Sequence, residues 1–160
     1  MKLTLAAIGV RPRPPFEAMA RLYLDRIAEL LPGSRKAGSA KSAVDAPLFR
    51  SEQALFGALD RERNRTAPLV VLLDERGRQF SSQAFAQWLG RERDQGRQLI
   101  LFAIGPAGGW SPEARRRAGL LLSLGPMTLA HELARVVLSE QVYRALTILG
   151  GHPYHRGASP

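Results

Sequence analysis

Unbroken apolar runs and longer stretches with helical spacing take turns along this chain. Leu3, Leu5 and Ala7 alternate within Lys2–Val10 and predict a strand, which the Arg11-Pro-Arg-Pro-Pro run breaks. Phe16, Met19, Ala20, Tyr23, Ile27, Leu30 and Leu31 then follow one helical face, and Pro32-Gly33 closes that helix. Gly33 to Pro47 is small, polar and basic, and predicts a loop or at best a weak edge strand. Leu48 to Leu59 predicts a short helix, and Arg61 to Arg65 an exposed charged linker.

The two clearest strands lie in the middle of the chain. Pro68 to Asp74 and Gln98 to Ile104 are continuous apolar runs, as strands covered on both faces require. The first ends in an Asp74-Glu-Arg-Gly77 turn, the second in Gly105-Pro-Ala-Gly-Gly109. Between them Ser81 or Ser82 caps a helix that carries Phe85, Trp88 and Leu89 inward. After the glycine turn, Ser111 and Pro112 have the residue types of an N-cap and a first helical position. Strands without alternation, separated by helices, predict an α/β fold with a mostly parallel sheet flanked by helices. In such sheets ligands bind beyond the carboxyl ends of the strands. The turns after Leu73, at Gly105–Gly109 and at Gly125–Thr128 are therefore expected to surround one small-molecule site.

The last third of the chain, Leu124 to Arg156, is one more helical pattern with an unusual tail. Leu138, Val142, Ala145, Leu146 and Leu149 share one face; Glu132, Arg135, Ser139, Tyr143 and Thr147 share another, with Glu140 and Arg144 beside it. Periodicity alone predicts a core stripe with a solvated back. Gly150-Gly151 stops the helix, and His152-Pro-Tyr-His-Arg156 follows. Two imidazoles, a phenol and a guanidinium within five residues supply proton-transfer groups and an anion fork.

Composition narrows the class. The 160 residues suit one domain, 1–160, with one core. No apolar run approaches the roughly 20 residues of a membrane span, and no apolar segment follows the basic start as in a signal peptide. The absence of cysteine excludes disulfide frameworks and thiolate metal sites; the cytoplasm is the expected compartment. Lys+Arg number 23 against 14 Asp+Glu, a formal charge of +9. Such a field attracts polyanions, so nucleic acid is the first partner to consider.

Common catalytic motifs are missing. Gly-Pro-Ala-Gly-Gly does not have the G-x-G-x-x-G spacing, and neither a phosphate-loop lysine motif nor G-x-S-x-G occurs. The three histidines lack metal-ligand spacing, so no metal is expected; His131, at a helix start, reads equally well as a cap partner or a reactive group. What remains is a glycine-lined pocket able to take a nucleoside through backbone contacts, next to a basic surface.

Several linked segments nonetheless carry a resemblance that runs over essentially the whole length. They are Leu73-Asp74 with E-R-G-R and S-S-x-x-F-A (Ser81 to Ala86), Ile104-Gly105-Pro106, M-T-L-x-H-E-L-A-R-V (Met127 to Val136), E-Q-x-Y-R-A (Glu140 to Ala145) and the H-P-Y-H-R tail. In these segments the chain resembles the RlmH-type enzymes of the SPOUT class, S-adenosylmethionine-dependent methyltransferases that modify N-3 of a pseudouridine in large-subunit ribosomal RNA. The resemblance implies a C-terminal segment threaded as a trefoil knot, a homodimer, and a site completed by the partner's tail. It implies a cofactor pocket at Leu73, Gly105 and the run Gly125, Pro126, Met127, Thr128, Leu129 and Ala130. Ile104, Ala107 and Ala130 depart from the residues usual in relatives.

The chemistry implied needs no metal, because the methyl on a sulfonium is already electrophilic. The ring nitrogen must lose a proton, which a neutral imidazole accepts near pH 7. His152 or His155 is expected to act as that base or to orient a water, in a tail that also holds Tyr154. Arg156, Arg135 and Arg144 are expected to hold phosphates or the developing anion. Two rival classes are a non-catalytic basic RNA- or ribosome-binding α/β module, and a nucleotide-dependent enzyme. Stoichiometric S-adenosylmethionine binding discriminates against the first; the missing phosphate-loop lysine weighs against the second.

Overall fold

The computed structural model describes residues 1–9, 11–32, 42–62 and 67–154. Its elements run β1 (Lys2–Ile8), α1 (Pro14–Leu30), β2 (Val44–Asp45), β3 (Leu48–Phe49), α2 (Glu52–Glu62), β4 (Leu69–Gln79), α3 (Ser82–Asp94), β5 (Leu99–Ile104), α4 (Pro112–Arg117), β6 (Leu120–Ser123) and α5 (His131–Leu149). The sheet has the order β2-β1-β5-β4-β6, with β3 also on β1, and its strand pairings are parallel.

Helices cover both faces, so the strands need no polar side. Leu3, Leu5 and Ala7 point into a core shared with α1, α3 and α5, where Phe85, Trp88 and Phe102 pack edge and face. Ala6 and Ile8, the intervening residues of β1, lie in a second core with Leu55 and Phe56 of α2 and Ala114 of α4. Phe102 on β5 is fully buried, and burial of one such side chain stabilises by roughly 1.5–3 kcal/mol. The alternation in β1 thus marks which core each residue joins rather than which residues meet water.

Several local expectations are corrected. The stretch from Leu48 is not helical at its start: Leu48 and Phe49 form β3, and α2 begins only at Glu52. The inward face of α1 is Ala20, Leu24, Ile27 and Ala28, while Met19 and Leu30 are exposed, a rotation from the predicted stripe. The back of α5 is not solvated. Arg135, Ser139, Tyr143 and Thr147 are buried, because α1 packs on that face while α3 packs on the other. Its hydroxyls are satisfied locally: Ser139 donates to the Arg135 carbonyl at 2.8 Å and Thr147 to the Arg144 carbonyl at 2.7 Å. A polar helix face therefore read as solvent-facing, although it is a helix–helix seam.

The Asp74–Gly77 turn does not end its strand. β4 pairs with β6 up to Leu73, slips register, and pairs again from Arg78, so the turn is a bulge within one long strand. Gly77 permits it: a Cβ there would lie 2.6 Å from the Leu121 backbone. Most of the predicted loop after Gly33, the core of the Arg61–Arg65 linker, and Val10 lie outside the described residues.

Candidate cofactor cleft

Three chain segments lie side by side, the bulge within β4 and the turns that leave the carboxyl ends of β5 and β6, and each is held by specific bonds. On β4 the bulge is pinned by Asp74, whose Oδ1 accepts the Arg76 amide at 2.9 Å and whose Oδ2 accepts Arg115 Nε at 2.7 Å. Burial by itself raises the Asp74 carboxyl. The Arg115 hydrogen bond, the Arg76 amide and the two guanidinium charges outweigh it and hold the group below its ordinary value.

The turn after β5 is fastened in three places. Gly109, at φ +78°, donates its amide to the Pro106 carbonyl at 2.9 Å. Trp110 is buried and its Nε1 donates to the Leu73 carbonyl at 2.8 Å, where the β4 ladder breaks off. Ser111 caps α4 by accepting from the Ala114 amide, while its own amide and hydroxyl donate to the Glu52 carboxylate at 2.8 and 2.7 Å. After β6, the Ser123 hydroxyl donates to the Gly125 carbonyl at 3.0 Å and accepts the Gly125 amide at 3.2 Å. Gly125 has φ +140° and open space where a Cβ would stand.

Between these segments lies a cleft of ≈ 340 Å³. Leu73, Gly105, Gly125, Met127, Thr128 and Leu129 line it, which brings together six of the eight residues assigned to the cofactor. Pro126 sits in the same loop and Ala130 is the N-cap of α5, neither among the lining residues. Met127 is 82 % exposed, an apolar side chain standing at the open side. Backbone-rich walls, one anchored carboxylate and apolar patches suit a nucleoside bearing a positively charged sulfur.

The residues assigned to catalysis are elsewhere. Arg135 is buried and pairs with Glu17 of α1, while its Nε lacks a hydrogen-bond partner. Arg144 donates to Glu140 at 3.0 and 2.5 Å, which raises its basicity despite burial. Tyr154 stacks edge-on to Tyr143 at 4.8 Å, lies 5.1 Å beneath the Arg144 guanidinium, and donates to Glu140 at 3.2 Å. Burial, then the bond with Tyr23 and the Glu140 charge, push its phenol up to about 12. His152 is exposed, its Nδ1 accepting the Tyr154 amide at 3.2 Å; His155 and Arg156 lie outside the described residues. The tail leaves the far end of α5, whereas the cleft is at its start. At 1.5 Å per residue the helix ends roughly 27 Å from its start, and the tail turns back far enough for Tyr154 to meet Glu140, roughly 13 Å along the helix from His131.

Sequence reasoning passed over Trp110 and the Asp74–Arg115 pair. A tryptophan directly after Gly-Gly was the available signal for the first; the second joins residues 41 apart, which no local pattern displays. Among the described residues no group of His, Cys, Asp or Glu is arranged to hold a metal, and no helix is long and apolar enough to cross a membrane.

Comparison with known proteins gives consistent results. The family described as "Predicted SPOUT methyltransferase" matches residues 1–155. The Ribosomal RNA large subunit methyltransferase H of Koribacter versatilis is 45 % identical over 157 residues, covering 98 % of this chain and 99 % of that protein. The protein of the same name from Rhizobium meliloti is 42 % identical over 162 residues, with the same coverage. Among solved structures, the SpoU methyltransferase AviRb from Streptomyces viridochromogenes, in complex with AdoMet, aligns with TM-score 0.50 and 14 % identity over 94 % of this chain. A probable methylase family protein from Haemophilus influenzae aligns with TM-score 0.50 and 13 % identity over 93 %. The chain spans 59 % and 66 % of those two structures, and the likeness is one of fold.

Proposed function

The chain belongs to the SPOUT methyltransferase family, and from that premise we propose that it transfers the methyl group of S-adenosylmethionine to N-3 of a pseudouridine in large-subunit ribosomal RNA. The observation that carries this reading is the convergence of the β4 bulge and the two glycine turns after β5 and β6 on one cleft. Near full-length relatives named as large-subunit rRNA methyltransferases, and the charge of +9, support RNA as the substrate.

The cofactor supplies an electrophilic methyl on sulfur. The chain's part is to bind, orient and keep water out. The loop Gly125–Ala130 and the turn at Gly105 offer backbone groups to the nucleoside, and Leu73 and Leu129 offer apolar contact. Holding a ring nitrogen in line with the methyl supplies most of the acceleration.

The reading includes a homodimer in which each cleft is closed by the other subunit's tail. Its support is the course of the tail, which leaves the far end of α5 and packs Tyr154 on Tyr143 and Glu140 rather than among the residues lining its own cleft. In this arrangement His152, Tyr154, His155 and Arg156 meet RNA over the neighbouring cleft, with His152 or His155 orienting the nitrogen proton or a water. Arg144 holds Tyr154 in place, and Arg135 fixes the start of α5 through Glu17. The compartment is the cytoplasm, where the ribosome is made.

Complementation tests the reading. A cleft-dead variant with an intact tail, mixed with a protein lacking His152 to Pro160, forms some dimers with one good cleft facing one good tail. Methyl transfer to ribosomal RNA above either parent supports a shared site; a truncated protein that works alone at the wild-type rate contradicts it.

A further inference from the structure

Resting on the methyl-transfer reading, we propose that the group accepting the nitrogen proton is His131 of the cleft's own subunit, with the neighbouring tail closing the site over it. His131 is the first residue of α5, half-buried, and lines the cleft together with Ala134, three residues on. That i, i+3 pair defines the face of the first helical turn turned to the cleft. Its neighbours Glu132 and Arg135 are turned to α1, paired with Arg13 and Glu17.

The other charged groups around the cleft are poorly suited to the task. They are Asp74, Glu75, Arg76 and Arg115. The arginines are cations without a proton-accepting lone pair. Asp74 already binds the Arg76 amide and the Arg115 guanidinium, which favour its charged form and make it a weak base. Glu75 is exposed on the bulge, open to bulk water that competes for any proton transfer. His131 is the described imidazole at the cleft; His152 sits beyond the far end of α5.

The charges balance. N-3 gives its proton to the neutral imidazole and forms a bond to the methyl carbon, while the carbon–sulfur bond breaks and its electron pair stays on sulfur. The sulfonium loses its positive charge as the imidazolium gains one. The cleft therefore carries the same net charge before and after, and its fixed dipoles need not reorganise.

The test uses the full chain. In wild-type protein, S-adenosylhomocysteine should slow carbethoxylation of His131 by diethyl pyrocarbonate at least fivefold, read by peptide mass spectrometry, and leave His152 unaffected. His131→Ala should keep its calorimetric affinity for S-adenosylhomocysteine within about threefold. Its kcat on ribosomal RNA should fall roughly 10²–10⁴-fold, the usual worth of a general base, and free imidazole should restore part of it. No protection of His131, a kcat within threefold of wild type, or a loss that imidazole does not relieve overturns the assignment. Wild-type protein that transfers no methyl to RNA overturns the parent reading and this one with it. An active wild type with an equally active His131→Ala overturns this one alone.

Discussion

Replacing Gly105 by alanine isolates what holds the cleft wall in place. Gly105 does not have a positive φ, so alanine meets no backbone penalty and its cost is steric. The added Cβ would lie 2.8 Å from Trp110 Cε2 and 2.9 Å from Nε1, inside any normal contact. The indole has little room to yield, being 4 % exposed, bonded to the Leu73 carbonyl at 2.8 Å, and followed by a serine that Glu52 grips twice. Overpacking costs about 1–3 kcal/mol, and losing the indole bond to the half-buried Leu73 costs about 1 kcal/mol more. We expect Gly105→Ala to lose about 2–4 kcal/mol in urea unfolding. In a Trp110→Leu background the same change should cost at least ~1 kcal/mol less, because the clashing ring is gone. Additivity of the two substitutions to within about 0.5 kcal/mol would refute the reasoning. Gly105→Val, the obvious probe of cofactor contact, strikes Trp110 as well, so its loss of binding reports on the wall before it reports on the ligand.

Other consequences follow from the same bonds. Because the folded Asp74 carboxyl lies below its unfolded value, its pairing stabilises above the ordinary carboxylate range of about 4, and that stability is lost as pH falls through the folded value. Arg115→Gln should flatten the acid limb of melting temperature against pH; an unchanged limb would show that Asp74 does not titrate against Arg115. Deleting His152 to Pro160 removes the Tyr154–Tyr143 contact and should cost about 0.5–1.5 kcal/mol of stability, with S-adenosylmethionine affinity within threefold in calorimetry and RNA methylation down at least a hundredfold. Light scattering at micromolar concentration should give twice the 17.6 kDa chain mass; a monomer would remove the shared-site arrangement.

Much of this was legible in the chain, for reasons that differ by element. The apolar runs now seen as β4 and β5 have no alternation because helices cover both faces, so burial itself wrote the signal. Ser111-Pro112 marked its helix start by capping chemistry, which is local. The turns at Leu73, Gly105 and Gly125 were placed together by the logic of parallel sheets, and they share one cleft. Long-range packing was not legible. Ser139 and Thr147 read as part of a wet face because a polar residue whose bond is satisfied within its own helix looks the same, in sequence, as one facing water. The Asp74 bulge read as a strand end because Asp-x-x-Gly is turn chemistry in both settings, and only the Gly77 approach to Leu121 tells them apart. Arg135 looked like an anion fork; Glu17, 118 residues away in sequence, is what it holds.

The most direct test of the central claim is nucleoside mass spectrometry of ribosomal RNA incubated with the protein and S-adenosylmethionine carrying an isotopically labelled methyl. The account predicts label on a single pseudouridine of the large-subunit RNA, at N-3, and its absence when cofactor is omitted. Stoichiometric RNA binding with no labelled nucleoside, on large-subunit RNA free or assembled in ribosomes, would contradict it and leave a basic RNA-binding protein on a methyltransferase fold.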